Sequence, residues 1–249
     1  MKTVLILGAT SGLARALATE WARRRYALIL AARDAEELET IAADLRVRFG
    51  ANVQTLAFDA INYRTHPAFW KRALAAANGE IHGLCLCFGT MFGQEESAAD
   101  WQLSKQTIDG NYSGAVSILN IAADYHETRT SNKRGWICVV SSVAGDRGRQ
   151  SNYIYGSAKG AVSIYAQGLR QRLAASGTSV TTIKPGPLDT SMTWGLDKLP
   201  LLASPEKVAK EIVRAVRRRA DIVYTPAPWK IIMTLLCLVP EKIWKRAKL

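Results

Sequence analysis

Four cysteines and three histidines in 249 residues are too few for a disulfide scaffold, and they do not group at metal-ligand spacing. Cys85 and Cys87 form a C-x-C inside the apolar run 83–88 with no second pair to match, and His66 and His82 lie in unrelated contexts. Core packing is their expected role. Such thiols suit a reducing, cytoplasmic setting, and no signal peptide is expected, because the apolar run from Thr3 to Leu7 breaks at once at a glycine. Long hydrophobic runs are missing too. The longest, Ile231 to Val239, has nine residues, about half of what a helix needs to cross a bilayer, so no membrane span is expected. Acidic residues are scarce: 21 Asp and Glu face 33 Lys and Arg, for a formal net charge of +12. Residues 205–249 hold 11 basic residues against 4 acidic ones. That bias suggests an acidic partner met by the C-terminal region, anionic lipid or nucleic acid. For Arg217, Arg218 and Arg219 a solvated helix end that complements the helix dipole is an equal alternative.

What the chain does have is the composition of an ordinary globular protein, 48% hydrophobic and 22% charged, which excludes disordered and fibrous classes. Short β-branched or apolar runs alternate with longer helical ones, the pattern of successive βα units and a mostly parallel sheet. Seven strands are predicted at 3–7, 27–31, 53–58, 83–88, 136–141, 179–183 and 222–224. Helices are predicted at 12–24, 35–49, 67–78, 98–128, 151–175 and 205–219. The expected architecture is α/β, a single doubly wound Rossmann domain over residues 1–225, followed by a basic amphipathic helical tail over 226–249.

The segment Gly8-Ala9-Thr10-Ser11-Gly12-Leu13-Ala14 follows the first strand and opens the first helix, the context in which a glycine pattern signals a phosphate cradle. Glycines let the backbone turn sharply and approach a pyrophosphate, and the N–H groups that open the helix face the anion. A tight turn without a ligand is the plain alternative. The G-x-x-x-G spacing resembles the T-G-x-x-x-G-x-G motif of short-chain dehydrogenases/reductases, with Leu7 in place of Thr and Ala14 in place of the last Gly. At the end of the second strand, Ala31-Ala32-Arg33-Asp34 lacks an acid at position 32 that would hold the adenosine ribose. Arg33 can instead grip a 2′-phosphate by forked hydrogen bonds, which favours NADP(H) over NAD(H). Asp34 fits either a ribose ligand or the N-cap of the next helix, and the cap is preferred before Ala35-Glu36-Glu37.

Tyr155-Gly156-Ser157-Ala158-Lys159 places a phenol and an ammonium four residues apart on one helix face. A nearby ammonium is expected to lower the tyrosine pKa so that Tyr155 exchanges a proton with a substrate oxygen. Ser142 lies 13 residues upstream at the carboxyl end of the fifth strand, where ligands meet an open parallel sheet. With Asn111 inside the preceding helix, this arrangement closely resembles the active tetrad of the classical short-chain dehydrogenases/reductases over residues 3 to about 225. The resemblance implies Tyr155 as general acid or base and Ser142 polarising the carbonyl. It implies Lys159 on the nicotinamide ribose and Asn111 anchoring a relay water. It further implies Asp59-Ala60 at the adenine ring, Gly89 in the cofactor wall, and Pro185, Gly186 and Thr190 of a P-G-x-x-x-T element, with Thr190 beside the nicotinamide carboxamide. Leu86-Cys87-Phe88-Gly89 stands where the family usually has N-N-A-G, which removes two amides and brings a phenyl ring close to the cofactor.

Past that element, Met192, Trp194, Leu196, Leu199, Leu201 and Leu202 load the segment that closes over substrate in this family. They favour a lipid-like substrate, or fill the packing of the lid itself. Arg147 and Arg149 suit either a substrate phosphate or a solvated loop. The tail combines Trp229, Trp244, Lys230, Lys242, Lys245, Arg246 and Lys248 with the apolar run. That mixture suits an anionic membrane interface and gives no reason to expect nucleic acid. A helix docked on the fold or on another subunit competes with it, and Pro240 divides the tail. Phe88, the basic loop and this tail together resemble the decaprenylphosphoryl 2-keto-pentose reductase group. That implies reduction of the 2-keto sugar of a polyprenyl-phosphate-linked pentose, a step toward cell-envelope donors. Another ketone reductase, such as one acting on 3-oxoacyl thioesters, and a membrane-associated cofactor sensor are the alternatives. A homo-oligomer is expected, at the inner face of the cell membrane if the tail binds lipid.

Overall fold

The seven strands are β1 (Thr3–Leu7), β2 (Ala27–Ala32), β3 (Val53–Ala57), β4 (Gly83–Leu86), β5 (Trp136–Val140), β6 (Ser179–Pro185) and β7 (Ile222–Thr225). They form one sheet in the order β3-β2-β1-β4-β5-β6-β7, with every pair parallel. The order reverses between β1 and β4, and the carboxyl ends of those two strands, Leu7 and Leu86, are register partners. This is a doubly wound sheet whose crevice opens at that switch point. The structure, a computed structural model, describes residues 1–129, 134–195 and 199–247. Leu196 and Lys248, singled out above, lie outside the described residues.

Alternation along β1 sends Val4 and Ile6 to one face and Leu5 and Leu7 to the other. On the first face α1 (Gly12–Ala22), α2 (Ala35–Phe49) and α8 (Pro205–Arg217) cover a cluster built on Leu17, Trp21, Leu38, Ile212 and Val213. On the second, α3 (His66–Ala76), α6 (Gly114–Thr128) and α7 (Tyr153–Leu173) bring Phe69, Ile118, Leu119 and Val162. Cys85 and Cys138 face each other across β4 and β5 and are wholly buried in the first cluster, so Cys85 packs in the core as expected, whereas Cys87 is half-buried.

Local chemistry sets the ends. Asp34 caps α2 by accepting the Glu37 N–H at 3.0 Å, so its carboxylate serves the helix. Gly50 closes α2 in the left-handed region at φ +57°. Ser204 caps α8, with Pro205 in its first turn.

The helix expected at 98–128 is instead three pieces: α4 (Gln94–Ala99), α5 (Trp101–Ile108) and α6, with a single π turn over Asp109–Ser113 between the last two. Asp100 ends α4 in an extended conformation and caps α5 through Gln102 N–H. In the tail, α9 (Pro228–Leu238) and α10 (Glu241–Trp244) meet at Pro240. Trp229 and Met233 of α9 pack on Val143, just past β5. No helix among the described residues is long and apolar enough to cross a membrane.

Candidate active site

The glycine turn after β1 is shaped by contacts that only glycine permits. Gly8 has φ +76°, and a Cβ there would lie 2.6 Å from the backbone nitrogen of Phe88. Its N–H is held by Ala31 O at 2.8 Å, which ties the turn to the end of β2. Thr10 lends its carbonyl to Arg15 Nε at 3.0 Å. Ser11 then caps α1 through Ala14 N–H, and Ser11, Gly12 and Leu13 line a cleft of about 600 Å³ at the switch point. The N–H groups of Gly12 and Leu13 belong to the first turn, which has no intrahelical acceptors, so they suit an anion.

The opposite wall of the cleft carries Ser142, Tyr155 and Lys159. Ser142 Oγ accepts the Ala144 N–H at 3.1 Å, which orients the side chain and leaves its hydroxyl proton for the Tyr155 oxygen. Its neighbour Ser141 is buried and bonds locally, to Lys159 O at 2.9 Å and to Ser163 Oγ at 2.7 Å. Lys159 is buried, its Nζ donating to Val140 O at 3.2 Å. It lies 5.7 Å from the Tyr155 ring centroid.

The expected lowering of the tyrosine pKa does not occur in this state. Burial pushes Tyr155 up to about 12, a hydrogen bond with Ser142 working the other way. Burial also brings Lys159 down to about 8. Both shifts have one cause, the low-dielectric wall that penalises whichever form is charged.

Asn111 sits in the π turn behind this wall. Its Nδ2 donates to Thr90 O at 2.6 Å and Thr107 O at 2.8 Å, which fixes the amide and leaves a buried Oδ1 without a partner among the described residues. Gly89 is the hinge of the arrangement. A Cβ there would lie 2.5 Å from Asn111 Oδ1 and 3.2 Å from Lys159 Nζ, so glycine keeps open a gap that both groups face. Pro185, Gly186 and Thr190 line the cleft beside the glycine turn, and the Thr190 methyl stands 3.2 Å from where a Cβ on Gly12 would be.

Other residues named from the sequence are distributed less closely. Arg33 follows β2 and is exposed, with no hydrogen-bond partner among the described residues. Asp59 and Ala60 follow β3. Asp59 accepts the Ile61 N–H at 3.1 Å, and the Ala60 carbonyl packs where a Cβ of Gly114 would be. All three lie at the carboxyl edge of the sheet but do not line the cleft.

Met192, Leu199 and Arg149 line it, and Arg147 and Trp194 do not. The Arg147 guanidinium is taken by the tail. It donates to Cys237 O at 3.0 Å, Val239 O at 2.9 Å and the Glu241 carboxylate at 3.0 Å, and it lies 4.8 Å from the Trp244 ring centroid. Trp194 is 72% exposed, its indole N–H on Asp189 at 3.1 Å. Leu201 and Leu202 are exposed.

Sequence reasoning missed Phe92, Met91 and Gln94 on the cleft, and Trp229 as part of its wall. Trp229 packs closely on Gly186, whose Cβ would fall 2.0 Å from the indole nitrogen. The Pro-Gly pair is the signal that could have found it, since a glycine at a strand end marks close approach of another group.

The open α1 N-terminus, the gap at Gly89 and the unpartnered Asn111 oxygen leave room and hydrogen-bonding groups that fit a dinucleotide. Residues 2–199 match the family model described as short chain dehydrogenase. An uncharacterized oxidoreductase of Mycobacterium tuberculosis is 34% identical over 91% of this chain and 91% of its own length. One of Streptomyces coelicolor is 32% identical over 98% and 95%. Among solved structures, a short-chain dehydrogenase from Sphingobium yanoikuyae in complex with NADPH superposes with a TM-score of 0.77 and 25% identity, over 97% of both chains.

Proposed function

The chain belongs to the short-chain dehydrogenase/reductase family and is an NAD(P)-dependent oxidoreductase, and from that premise we propose that it reduces a ketone to a secondary alcohol with NADPH as the preferred cofactor. The observation that carries the reading is that Ser142, Tyr155 and Lys159 line one cleft with the glycine turn and Thr190. A bound nicotinamide dinucleotide supplies the hydride. Gly8, Thr10, Ser11, Gly12 and Leu13 would hold its pyrophosphate, Arg33 a 2′-phosphate, and Pro185, Gly186, Thr190 and Lys159 its nicotinamide end.

With substrate bound, Ser142 turns its hydroxyl proton from the Tyr155 oxygen to the substrate carbonyl oxygen, and Tyr155 gives that oxygen its own proton. A phenol raised to about 12 by burial keeps its proton at neutral pH, which suits an acid acting in the reductive direction. The phenolate left behind is costly in the same dry wall. Lys159 and a water held by Asn111 Oδ1, both facing the gap at Gly89, return a proton to it.

The ketone is the 2-keto sugar of a polyprenyl-phosphate-linked pentose, a step of cell-envelope synthesis. Support comes from the apolar side of the cleft, Phe88, Met91, Phe92, Met192 and Leu199, and from Arg149 at its rim for the phosphate. The tail adds a surface for lipid. With Trp229 and Met233 turned inward, Ile231, Leu235 and Leu238 remain exposed on one stripe of α9, in a tail that also exposes Lys230, Lys242, Lys245 and Arg246. An apolar stripe in a basic tail suits the interface of an anionic membrane.

NADPH consumption with a polyprenyl-phosphate keto-sugar, a 3-oxoacyl thioester and simple ketones tests the reading. Turnover is expected with the first above the others. Preference for the thioester would reassign the substrate, and no turnover with any would favour a cofactor sensor.

A further inference from the structure

Three polar side-chain atoms on residues that line the cleft are without a hydrogen-bond partner among the described residues. Gln94 Nε2, Arg149 Nε and Asn152 Oδ1 are each buried and unbonded among the described residues, and all three side chains line the cleft shared by Ser142 and Tyr155. Buried polar atoms are ordinarily satisfied, so three orphans in one place call for a cause.

The cause is not helix capping. Asn152 holds the N-cap position of α7, where an asparagine side chain ordinarily accepts a helix N–H, yet it makes no such bond. Gln94, reaching over from the start of α4, does that work instead: its Oε1 accepts the Ile154 N–H at 3.1 Å. That bond fixes the Gln94 amide and turns Nε2 out as a donor. It also frees the Asn152 amide for something other than the helix. Burial weakens the hold of Arg149 on its proton, as expected of a guanidinium kept from water.

We propose that Gln94, Arg149 and Asn152 form a subsite for hydroxyl groups flanking the substrate ketone, so that the enzyme selects polyhydroxylated, sugar-like ketones over plain ones. The proposal rests on the reductase reading above and specifies its substrate class. The set holds two donors and one acceptor. A hydroxyl both accepts and donates, so it satisfies Arg149 or Gln94 and Asn152 together. An anion only accepts, and would leave Asn152 Oδ1 facing negative charge. The three atoms are buried as they stand, and a molecule that enters the cleft and draws these side chains toward it would supply their partners. The remaining N–H groups of Arg149 stay free for a phosphate on the same substrate.

Two readouts test this on the full chain. The first is NADPH oxidation with a 2-ketopentofuranoside and with its deoxy analogue, which lacks the flanking hydroxyls. The second is calorimetric binding of the matching pentofuranoside alcohol to the NADP-loaded enzyme. A site built around substrate hydroxyls rejects the analogue that lacks them, so wild type should favour the hydroxylated ketone by about 100-fold or more in kcat/KM. Gln94→Glu keeps an oxygen for the Ile154 N–H and removes the donor, and Asn152→Ala removes the acceptor. Each should cut that preference about tenfold, through KM rather than kcat and with the pH profile unmoved.

Equal use of both ketones by wild type, or an unchanged ratio in the variants, overturns the subsite while leaving the reductase reading intact. Binding of the alcohol that is lost in the variants, with neither ketone reduced, does the reverse. If Asn152→Ala does not fold, Gln94→Glu, which keeps the α7 cap, decides.

Discussion

Replacing Lys159 by methionine should stabilise the cofactor-free protein while abolishing its activity. Lys159 is 4% exposed, has one hydrogen bond, to Val140 O at 3.2 Å, and is brought by burial from 10.5 down to about 8. At about 1.36 kcal/mol per pH unit, that interval means that keeping the ammonium charged costs the fold roughly 3 kcal/mol at neutral pH. Methionine retains most of the stem without the charge and forfeits a hydrogen bond worth about 1 kcal/mol. The net gain is about 2 kcal/mol, or roughly 4 to 8 °C in Tm for a chain of this size.

The pH dependence is the sharper signature. The folded pKa lies below the unfolded one, so between pH 8 and 10.5 the unfolded chain binds more protons and wild-type stability rises with pH. Below pH 8 the penalty is fully present; above 10.5 it is gone. Thermal melts of both apoproteins from pH 7 to 10.5 should therefore show a gap that favours the variant and closes as pH rises. A variant that melts below wild type at pH 7, or a gap that does not narrow above pH 8, would refute the reasoning.

Arg33→Ala should weaken NADPH binding by ~1.5 to 3 kcal/mol, the worth of a hydrogen-bonded charge pair, and leave NADH nearly unchanged; equal losses in fluorescence titrations would remove Arg33 from the 2′-phosphate. Gly186→Ala puts a Cβ 2.0 Å from the Trp229 indole nitrogen, so the indole must move, at a cost of about 1 to 3 kcal/mol. An unchanged Tm and unchanged tryptophan emission would contradict that. Reversing the charges of Lys242 and Lys245 should lower binding to anionic liposomes and its salt sensitivity, at about 1 kcal/mol per cation near the surface. If sedimentation with the liposomes is unaltered, the tail does not contact lipid.

The sheet and its flanking helices were legible because they obey local rules. β1 and β4 are short apolar runs that begin or end at glycines, and α2 announces itself with Asp34, Glu36 and Gly50. The break of the helix expected at 98–128 was not legible. It depends on Asp100 leaving the helix to cap α5 and on Asn111 spending its amide on Thr90 and Thr107, and no periodicity encodes either.

The same holds for the site. Tyr155, Lys159 and Ser142 stand at readable spacings, yet the direction of the Tyr155 shift was not readable, because it is set by burial in a wall built from distant segments. Arg147 and Arg149 look alike in sequence. Only the return of the tail separates them, giving Arg147 to the carbonyls of Cys237 and Val239 and leaving Arg149 at the cleft. Trp229 likewise reaches the cleft from far along the chain.

The central claim is that Tyr155 protonates a ketone in this cleft. Single-turnover oxidation of enzyme-bound NADPH by a reducible ketone, in wild type and in Tyr155→Phe, tests it most directly, because the variant keeps the ring and removes only the acidic proton. Loss of a general acid predicts a rate lower by on the order of 10² or more, with NADPH still bound. A near-normal rate in Tyr155→Phe would mean that another group supplies the proton, and would contradict the account.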